Sequence, residues 1–300
     1  MILICGINNS LKNVIIIKLL QNGKKIKILT KENYVLNKDK NFIFYFNKIN
    51  NKNININNIK YIKLKYIQQY NNQLNNIFKD IKEIYYIENI YKNNKKEKNN
   101  LFNLINISLI NGIKKFCYIK NISDLFFNKK ENIKEENLLC LYNKRGNNYI
   151  KYIPEIEIWR GIKEGLNTVI VNPSKIISRD LIKNCIQNKF FLQKFIKTKF
   201  FSRGYVDVRD VAECSIKLMN KNFFGNRYII NSENLINKEF FKILNFNNIL
   251  NKENNDFLKK NEILLSKCKY YSTFSSEKFK KIINYKFIKI KESILFHKKI

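Results

Sequence analysis

The 300-residue chain is poor in the residues whose codons are rich in G and C. It contains eight Gly, two Pro, one Trp and one His, with six Arg and a single Ala at position 212. The one histidine, His297, stands in a lysine-rich tail, where we expect it at the surface. A histidine-dependent catalytic triad therefore has no support in the sequence.

Metal centres, redox pairs and membrane spans are disfavoured on similar grounds. None of the six cysteines forms a CxxC pair, which excludes the spacing of a zinc knuckle or a redox dithiol. No apolar run reaches 18 residues, so we predict no membrane-spanning helix. The start of the chain turns polar after six residues and offers no cleavable apolar segment. We expect a cytoplasmic protein without a bound metal.

The chain carries far more basic than acidic residues, 57 against 24, for a net charge of +33. Such a charge favours a polyanionic partner. However, 57 − 6 = 51 of the basic residues are Lys, and they are spread along the chain rather than gathered in an arginine-rich patch. Lys, Asn, Ile, Phe and Tyr can all be encoded by A and T alone, so we interpret the charge as the background of an AT-rich genome. Nucleic-acid binding is kept as an alternative.

Alternating strands and helices are predicted along the chain. The apolar run at 2–5 ends at Gly6, helical spacing follows over 11–20, and alternation over 25–29 predicts a second strand. This is a βαβ unit. Later segments repeat the order, with a helix at 153–166, a strand at 168–171 closed by a turn at 172–174, and a helix capped by Asp207. The order predicts a Rossmann-like α/β fold with a doubly wound parallel sheet.

Three segments resemble the extended short-chain dehydrogenase/reductase family, in its NAD-dependent epimerase/dehydratase group. They read EIEIWRGIKEGLNTVIVNPS (155–174), GYVDVRDVAECSIKLM (204–219) and FSSEKFKKIINYKFIKIKESI (274–294). The resemblance covers nearly the whole chain in order, with gaps near 90–100 and 245–265. It implies a dinucleotide-binding domain over 1–175, completed by 204–231. It also implies a small C-terminal substrate-binding lobe built from 176–203 and 232–300.

The resemblance implies NAD or NADP as cofactor. The family's GxxGxxG motif falls on Gly6, Asn9 and Lys12, so two glycines are replaced and weakened binding is expected, although Asn tolerates a positive φ. Glu88 stands where the family has a small residue beside the pyrophosphate, and we expect it to repel a phosphate. The implied cofactor-binding positions are Gly6, Asn8, Asn9, Ser10, Leu11, Lys31, Lys65, Lys151, Asn172, Pro173 and Ser174. Among them Lys31 favours NADP, and Lys65 replaces the family's Asp beside the adenine.

The catalytic residues of the family are a Ser or Thr, a Tyr and a Lys. Anchored on Trp159, the resemblance places the Lys at Lys151, the Tyr position at Asn147 and the Ser/Thr position at Asn121. Tyr149 is a weak substitute, because two residues before Lys151 it points to the other side of a helix.

Two readings of the function stay open beside nucleic-acid binding. The first is an NAD(P)-dependent oxidoreductase or epimerase acting on a sugar nucleotide or another small alcohol or ketone. The second is a catalytically inactive homologue that serves as a binding or interaction module. The partners expected are a small-molecule substrate and, by analogy with the family, a second copy in a homodimer.

Overall fold

The computed structural model describes residues 1–6, 9–30, 39–49, 54–63, 76–88, 95–122, 132–139, 153–188, 201–202, 204–246, 250, 256 and 271–299. Its strands are β1 (Ile2–Gly6), β2 (Ile26–Thr30), β3 (Ile59–Lys63), β4 (Glu83–Ile87), β5 (Lys115–Ile119), β6 (Asn132–Ile133), β7 (Thr168–Pro173), β8 (Lys175–Ile177), β9 (Phe201–Ser202), β10 (Gly204–Asp207), β11 (Asn226–Ile230), β12 (Glu233–Asn234) and β13 (Tyr271–Phe274). Its helices are α1 (Ser10–Gln21), α2 (Lys40–Ile49), α3 (Lys95–Ile110), α4 (Glu135–Leu139), α5 (Ile153–Lys163), α6 (Arg179–Gln187), α7 (Val208–Asn220), α8 (Asn237–Phe246), α9 (Glu277–Ile282) and α10 (Ile290–Lys298), with a 3₁₀ turn at Ile56–Asn58.

A seven-stranded sheet with the order β11-β7-β5-β4-β1-β2-β3 runs through the fold. The pairs from β3 to β7 are parallel. Strand β11 runs the same way beside β7, because Gly225 donates its N–H to the carbonyl of Thr168 and Ser174 donates to that of Ile230. Flanking helices complete the predicted Rossmann-like α/β fold, which is confirmed.

The chain places β2 and β3 on one side of β1 and all later strands of this sheet on the other. The direction of strand addition therefore reverses at β1. In doubly wound sheets, ligands bind outside the carboxyl ends of the strands at such a reversal. The end of β1 is thus the place in the fold where a site is expected.

Two compact units make up the chain. The first comprises Met1–Lys120, Leu138–Val171 and Ala212–Tyr228. Its core packs the buried apolar side chains of β1, β4 and β5 with those of α3, in keeping with strands covered on both faces. Helix α1 is buried on almost every side, because its apolar residues are not confined to one stripe.

The second unit comprises Asn121–Asn137, Asn172–Val211 and Ile229–Ile300. It holds two three-stranded sheets, β12-β10-β8 and β6-β13-β9. A separate core gathers apolar side chains of α6, α8 and α10 around Tyr205, whose ring stacks on Phe240 with centroids 4.6 Å apart. The assignment of cofactor and substrate roles to the two parts of the chain stays a prediction.

Strand β7 is longer than the sequence predicted. We expected it to close at a turn over Asn172, Pro173 and Ser174, but the strand continues through Pro173, and β8 begins at Lys175. Pro173 has no N–H to donate, and it stands at the last position of the strand. Ser174 is therefore a one-residue connection between two strands.

The expectation that His297 lies at the surface is wrong. His297 is fully buried in the second unit, with Nε2 3.3 Å from Oδ2 of Asp207. The lysine-rich helix α10 still has one inward face, formed by Ile290, Ile294 and His297 at helical spacing. Two polar residues, Ser293 and His297, share that face with the apolar ones and are buried with them.

Asp207 holds the start of α7, as the sequence predicted for a capping residue. Its Oδ1 accepts the backbone N–H of Arg209 at 2.7 Å, and the Arg209 guanidinium binds both carboxylate oxygens. Ser293 of α10 donates to Oδ2 at 2.6 Å. Burial would raise the pKa of Asp207, but the hydrogen bonds and charges of His297 and Arg209 outweigh it and lower the pKa below its ordinary value.

Asp210, in the first turn of α7, gives the stability of the protein a pH dependence. Tyr285 donates its hydroxyl to Oδ1 at 2.8 Å, and the N–H of Ile288 donates to Oδ2 at 2.9 Å. Burial nevertheless raises the pKa of Asp210 from 3.8 to about 6. The folded state thus keeps a proton that the unfolded state releases, and stability falls as the pH rises across this window.

We expect the free energy of unfolding of the wild type, minus that of Asp210→Asn, to fall by about 1–3 kcal/mol between pH 4 and pH 7. Urea denaturation at one-unit pH steps measures it. The subtraction cancels the other titrating groups, so a difference that stays constant with pH would contradict the assignment.

Gly6 and Gly165 form a matched pair for testing the close packing at the end of β1. Both have a positive φ, +104° and +100°, but only Gly6 has backbone of β4 where a Cβ would lie. Gly165→Ala is expected to cost about 1–2 kcal/mol, the strain of the φ angle alone. Gly6→Ala should cost a further 1–3 kcal/mol or so from overpacking. Urea denaturation of both variants measures the difference, and equal losses would show that the close approach is unimportant.

Candidate functional site

The last position of β1 requires a glycine. Gly6 has φ +104°, and a Cβ at this position would overlap the backbone of Ile87, its carbonyl oxygen above all. The last residues of β1 and β4 are paired in the sheet, Gly6 with Ile87. Only glycine satisfies both the left-handed conformation and the close approach. The first glycine of the resemblance is therefore structurally required.

Helix α1 begins at Ser10, four residues after Gly6, and Asn9 caps it. The Oδ1 of Asn9 accepts the N–H of Lys12 at 3.0 Å. Asn9 has φ −148°, which is extended backbone, so the idea that it replaces a glycine by adopting a positive φ is wrong. Its side chain serves the helix instead. No acidic residue stands in the first turn, so the positive end of the helix dipole is not neutralised there.

Lys12 fills the place of the family's third glycine. Its side chain is buried, and its Nζ lies 3.4 Å from the carbonyl oxygen of Leu29, near the end of β2. Burial lowers the pKa of Lys12 from 10.5 to about 8. The long side chain is accommodated because it runs from the start of α1 to the end of the neighbouring strand.

Glu88 is held by two donors and does not stand as an isolated negative charge. Tyr118 donates its hydroxyl to Oε2, and Lys120 Nζ lies 3.2 Å from the same oxygen and 3.4 Å from Oε1. The side chains of Lys120 and Glu88 are 3% and 11% exposed. Lys120 therefore pairs with the charge of Glu88, and the expected repulsion of a phosphate by Glu88 stays a prediction.

The register of the sheet explains this pairing. Ile87 of β4 lies opposite Ile119 of β5, so the residues that follow, Glu88 and Lys120, leave the sheet side by side. The sequence drew attention to Glu88 but not to Lys120, since their partnership depends on strand pairing. The sequence could have indicated this ion pair, because each of the two charged residues directly follows a predicted strand.

The structure describes only part of the other predicted positions. Asn8, Lys31, Lys65, Asn147, Tyr149 and Lys151 lie outside the described residues, so their roles stay predictions. Ser10 and Leu11 form the buried first turn of α1. Asn121 directly follows Lys120 and belongs to the second unit.

The end of β7 places Asn172 and Ser174 in the interior of the second unit, both fully buried. The Oγ of Ser174 has no hydrogen-bond partner among the described residues. Such a hydroxyl is costly to bury and is a position where a ligand or water could bond.

Neither a metal-binding cluster nor a membrane-spanning helix is found among the residues that the structure describes. Among the described residues, no group of three or more His, Cys, Asp or Glu side chains is placed to hold a metal ion. Within those ranges, no helix combines the length and the apolar character needed to cross a membrane.

The pairing of Glu88 with Lys120 can be measured by a double-mutant cycle with Glu88→Gln and Lys120→Met. Lys120→Met should lower the free energy of unfolding by about 3 kcal/mol, because it leaves a largely buried carboxylate without its counter-charge. The coupling energy should be about 1–3 kcal/mol by urea denaturation. Lys114→Met, at an exposed position just before β5, is the control and should change little. Additive single losses would contradict the ion pair.

No protein-family model matches this chain, and no curated protein sequence matches it. Solved structures of similar fold include vestitone reductase from alfalfa, with a TM-score of 0.69 and 15% identity over 99% of this chain and 96% of that one. Gre2 from Candida albicans, crystallised in complex with NADPH, has a TM-score of 0.63 and 14% identity over 98% and 96%. UDP-N-acetylglucosamine 4-epimerase from Bacillus cereus has a TM-score of 0.62 and 15% identity over 99% and 97%. The chain therefore has, over almost its full length, the fold of these three proteins.

Proposed function

We propose that the chain is an NAD(P)-binding protein of the epimerase and reductase type, acting on a small alcohol or ketone such as a sugar nucleotide. The observation that carries the proposal is the end of β1. There the order of strands reverses, Gly6 adopts a left-handed conformation against β4, and the N-terminus of α1 follows. This arrangement binds the pyrophosphate of dinucleotides in doubly wound folds.

The residues at this edge are compatible with a dinucleotide. The close approach at Gly6 leaves no room for a side chain at the end of β1, and the first turn of α1 carries no acidic group. The carboxylate of Glu88, which alone would oppose a phosphate, is paired with Lys120. Gly6 and the amides at the start of α1 would hold the pyrophosphate. The nicotinamide, when bound, supplies hydride chemistry.

The proton chemistry is proposed for the residues that the resemblance assigns. An asparagine at position 147 cannot exchange a proton at neutral pH, so Tyr149 is the candidate to take the proton of a substrate alcohol or return it to a ketone. Lys151 would lower the pKa of that phenol by its charge. Asn121 would position the substrate oxygen as a hydrogen-bond donor.

Titration calorimetry with NADPH and with NADH tests the proposal. We expect saturable binding of at least one of them, with a dissociation constant in the range of about 1–100 μM, weakened by the loss of two motif glycines. Nicotinamide mononucleotide is the matched ligand control and should bind far more weakly, because it lacks the adenosine half. Absence of heat and of thermal stabilisation at millimolar NADPH and NADH would overturn the proposal.

A measurement of substrate turnover distinguishes an active enzyme from a homologue that only binds the cofactor. A panel of aldehydes, ketones and nucleotide sugars is followed by NADPH absorbance or by sugar analysis, with Tyr149→Phe as the variant. Turnover that disappears in this variant supports the assignment of Tyr149. Tight cofactor binding with no turnover of any substrate favours the inactive homologue.

A further inference from the structure

A polar cleft of about 400 Å³ opens in the second unit, where residues of β6, β12 and β13 meet the start of α9. Its volume is that of a small-molecule site, for which about 300–1,000 Å³ is usual. All of its lining residues belong to the second unit, whereas the end of β1 belongs to the first. The cleft is therefore a different place from the dinucleotide edge proposed above.

The walls of the cleft are held together by bonds from side chains to backbone. Asn234 of β12 accepts the N–H of Phe274 through Oδ1 and donates Nδ2 to the carbonyl oxygen of the same residue, both at 3.0 Å. Asn231 donates its Nδ2 to that oxygen as well, also at 3.0 Å. The hydroxyl of Ser276 accepts the N–H of Asn231 and donates to its carbonyl oxygen. These bonds join β12 to β13 and fix the shape of the cleft without a ligand.

The lining keeps hydrogen-bonding capacity that the protein itself does not use. Ser232 donates its hydroxyl to the carbonyl oxygen of Ile288, and Thr273 donates to Oδ1 of Asn132, so both hydroxyl oxygens can still accept. The Nδ2 of Asn132 is a donor at the exposed side of the cleft. Asn231 is only 4% exposed, and its Oδ1 has no hydrogen-bond partner among the described residues. The cleft thus offers both donors and acceptors to an occupant.

The charges of the lining cancel. Glu277 and Lys280 contribute one carboxylate and one ammonium, both on exposed residues of α9, and seven of the ten lining residues are Asn, Ser or Thr. An anion would meet the carboxylate of Glu277, and a cation would meet the ammonium of Lys280. An apolar compound would leave the amides and hydroxyls without partners, which is costly. The lining therefore favours a neutral ligand that both donates and accepts hydrogen bonds.

We infer that this cleft is a binding site for a small neutral polyhydroxy compound, of the class of free monosaccharides and polyols. Each hydroxyl of such a compound donates one hydrogen bond and accepts others, which matches the mixture of groups that Asn132, Ser232 and Thr273 present. The inference goes beyond the proposed function, because it concerns a second site and presumes no dinucleotide.

Saturation-transfer NMR titrations test the inference with defined probes. The neutral probes are glucose, galactose, N-acetylglucosamine and myo-inositol, and the charged ones are serine, glutamine and citrate. Thr273→Val removes a hydroxyl at constant shape, and Asn132→Ala removes an amide. Asn184→Ala, at an exposed position of α6 in the same unit but outside the cleft, is the matched control. Urea denaturation of each variant establishes that it is folded.

At least one neutral probe should bind saturably, with a dissociation constant on the order of 1 mM for a ligand of this size held by neutral hydrogen bonds. Thr273→Val and Asn132→Ala should each weaken its binding at least about fivefold, the loss of one such bond. Asn184→Ala should leave it unchanged. The double variant Glu277→Gln, Lys280→Met should keep it within about threefold, because the charges are not what selects the ligand.

Three results would refute the site. The first is no binding of any neutral probe up to about 50 mM. The second is binding that Thr273→Val and Asn132→Ala leave unchanged, which would place the sugar elsewhere on the protein. The third is preferential binding of serine, glutamine or citrate that the Glu277→Gln, Lys280→Met variant abolishes, which would show a site for charged ligands instead. Failure to bind NADPH would refute the proposed function without bearing on this cleft.

Discussion

The close approach of β1 and β4 at Gly6 is the constraint on which the site depends. A side chain at Gly6 would occupy the place of the Ile87 backbone, and its positive φ is a conformation that other residues avoid. Strand β1 ends at this contact, and α1 begins four residues later. Both the reversal of strand order and the N-terminus of α1 are then brought to one edge of the sheet. A chain with only eight glycines in 300 residues has kept one at this position.

The charged side chains at this edge are either paired with an opposite charge or held in place by a hydrogen bond. Glu88 and Lys120 neutralise each other after neighbouring strands, with Tyr118 holding the carboxylate. Lys12 extends from the start of α1 to the end of β2. A net charge of +33 describes the composition, but it does not describe the site. Strand register sets the position of Lys120, and helix packing sets that of Lys12. The positions of these individual lysines matter more for the electrostatics of the site than the net charge does.

In the second unit, a buried carboxylate is likewise surrounded by hydrogen-bond donors and cationic side chains. The carboxylate of Asp207 contacts Arg209, Ser293 and His297. Because Ser293 and His297 belong to α10, this one buried carboxylate links the start of α7 to α10. A buried charge of this kind is tolerated because its hydrogen-bond capacity is satisfied. Asp210, one turn further along, accepts two hydrogen bonds, but its burial and the nearby charge of Asp207 raise its pKa.

The sequence by itself determined the fold class. The apolar runs of β1, β5 and β7 and the helical spacing of α5 depend on local periodicity, which side-chain pattern alone reveals. It also identified Gly6 and the capping role of Asp207. Tertiary structure decided the burial of His297, the partnership of Glu88 with Lys120 and the reach of Lys12 to Leu29. These contacts join residues of different elements, and their geometry follows from sheet register and packing, which the linear order of residues does not contain.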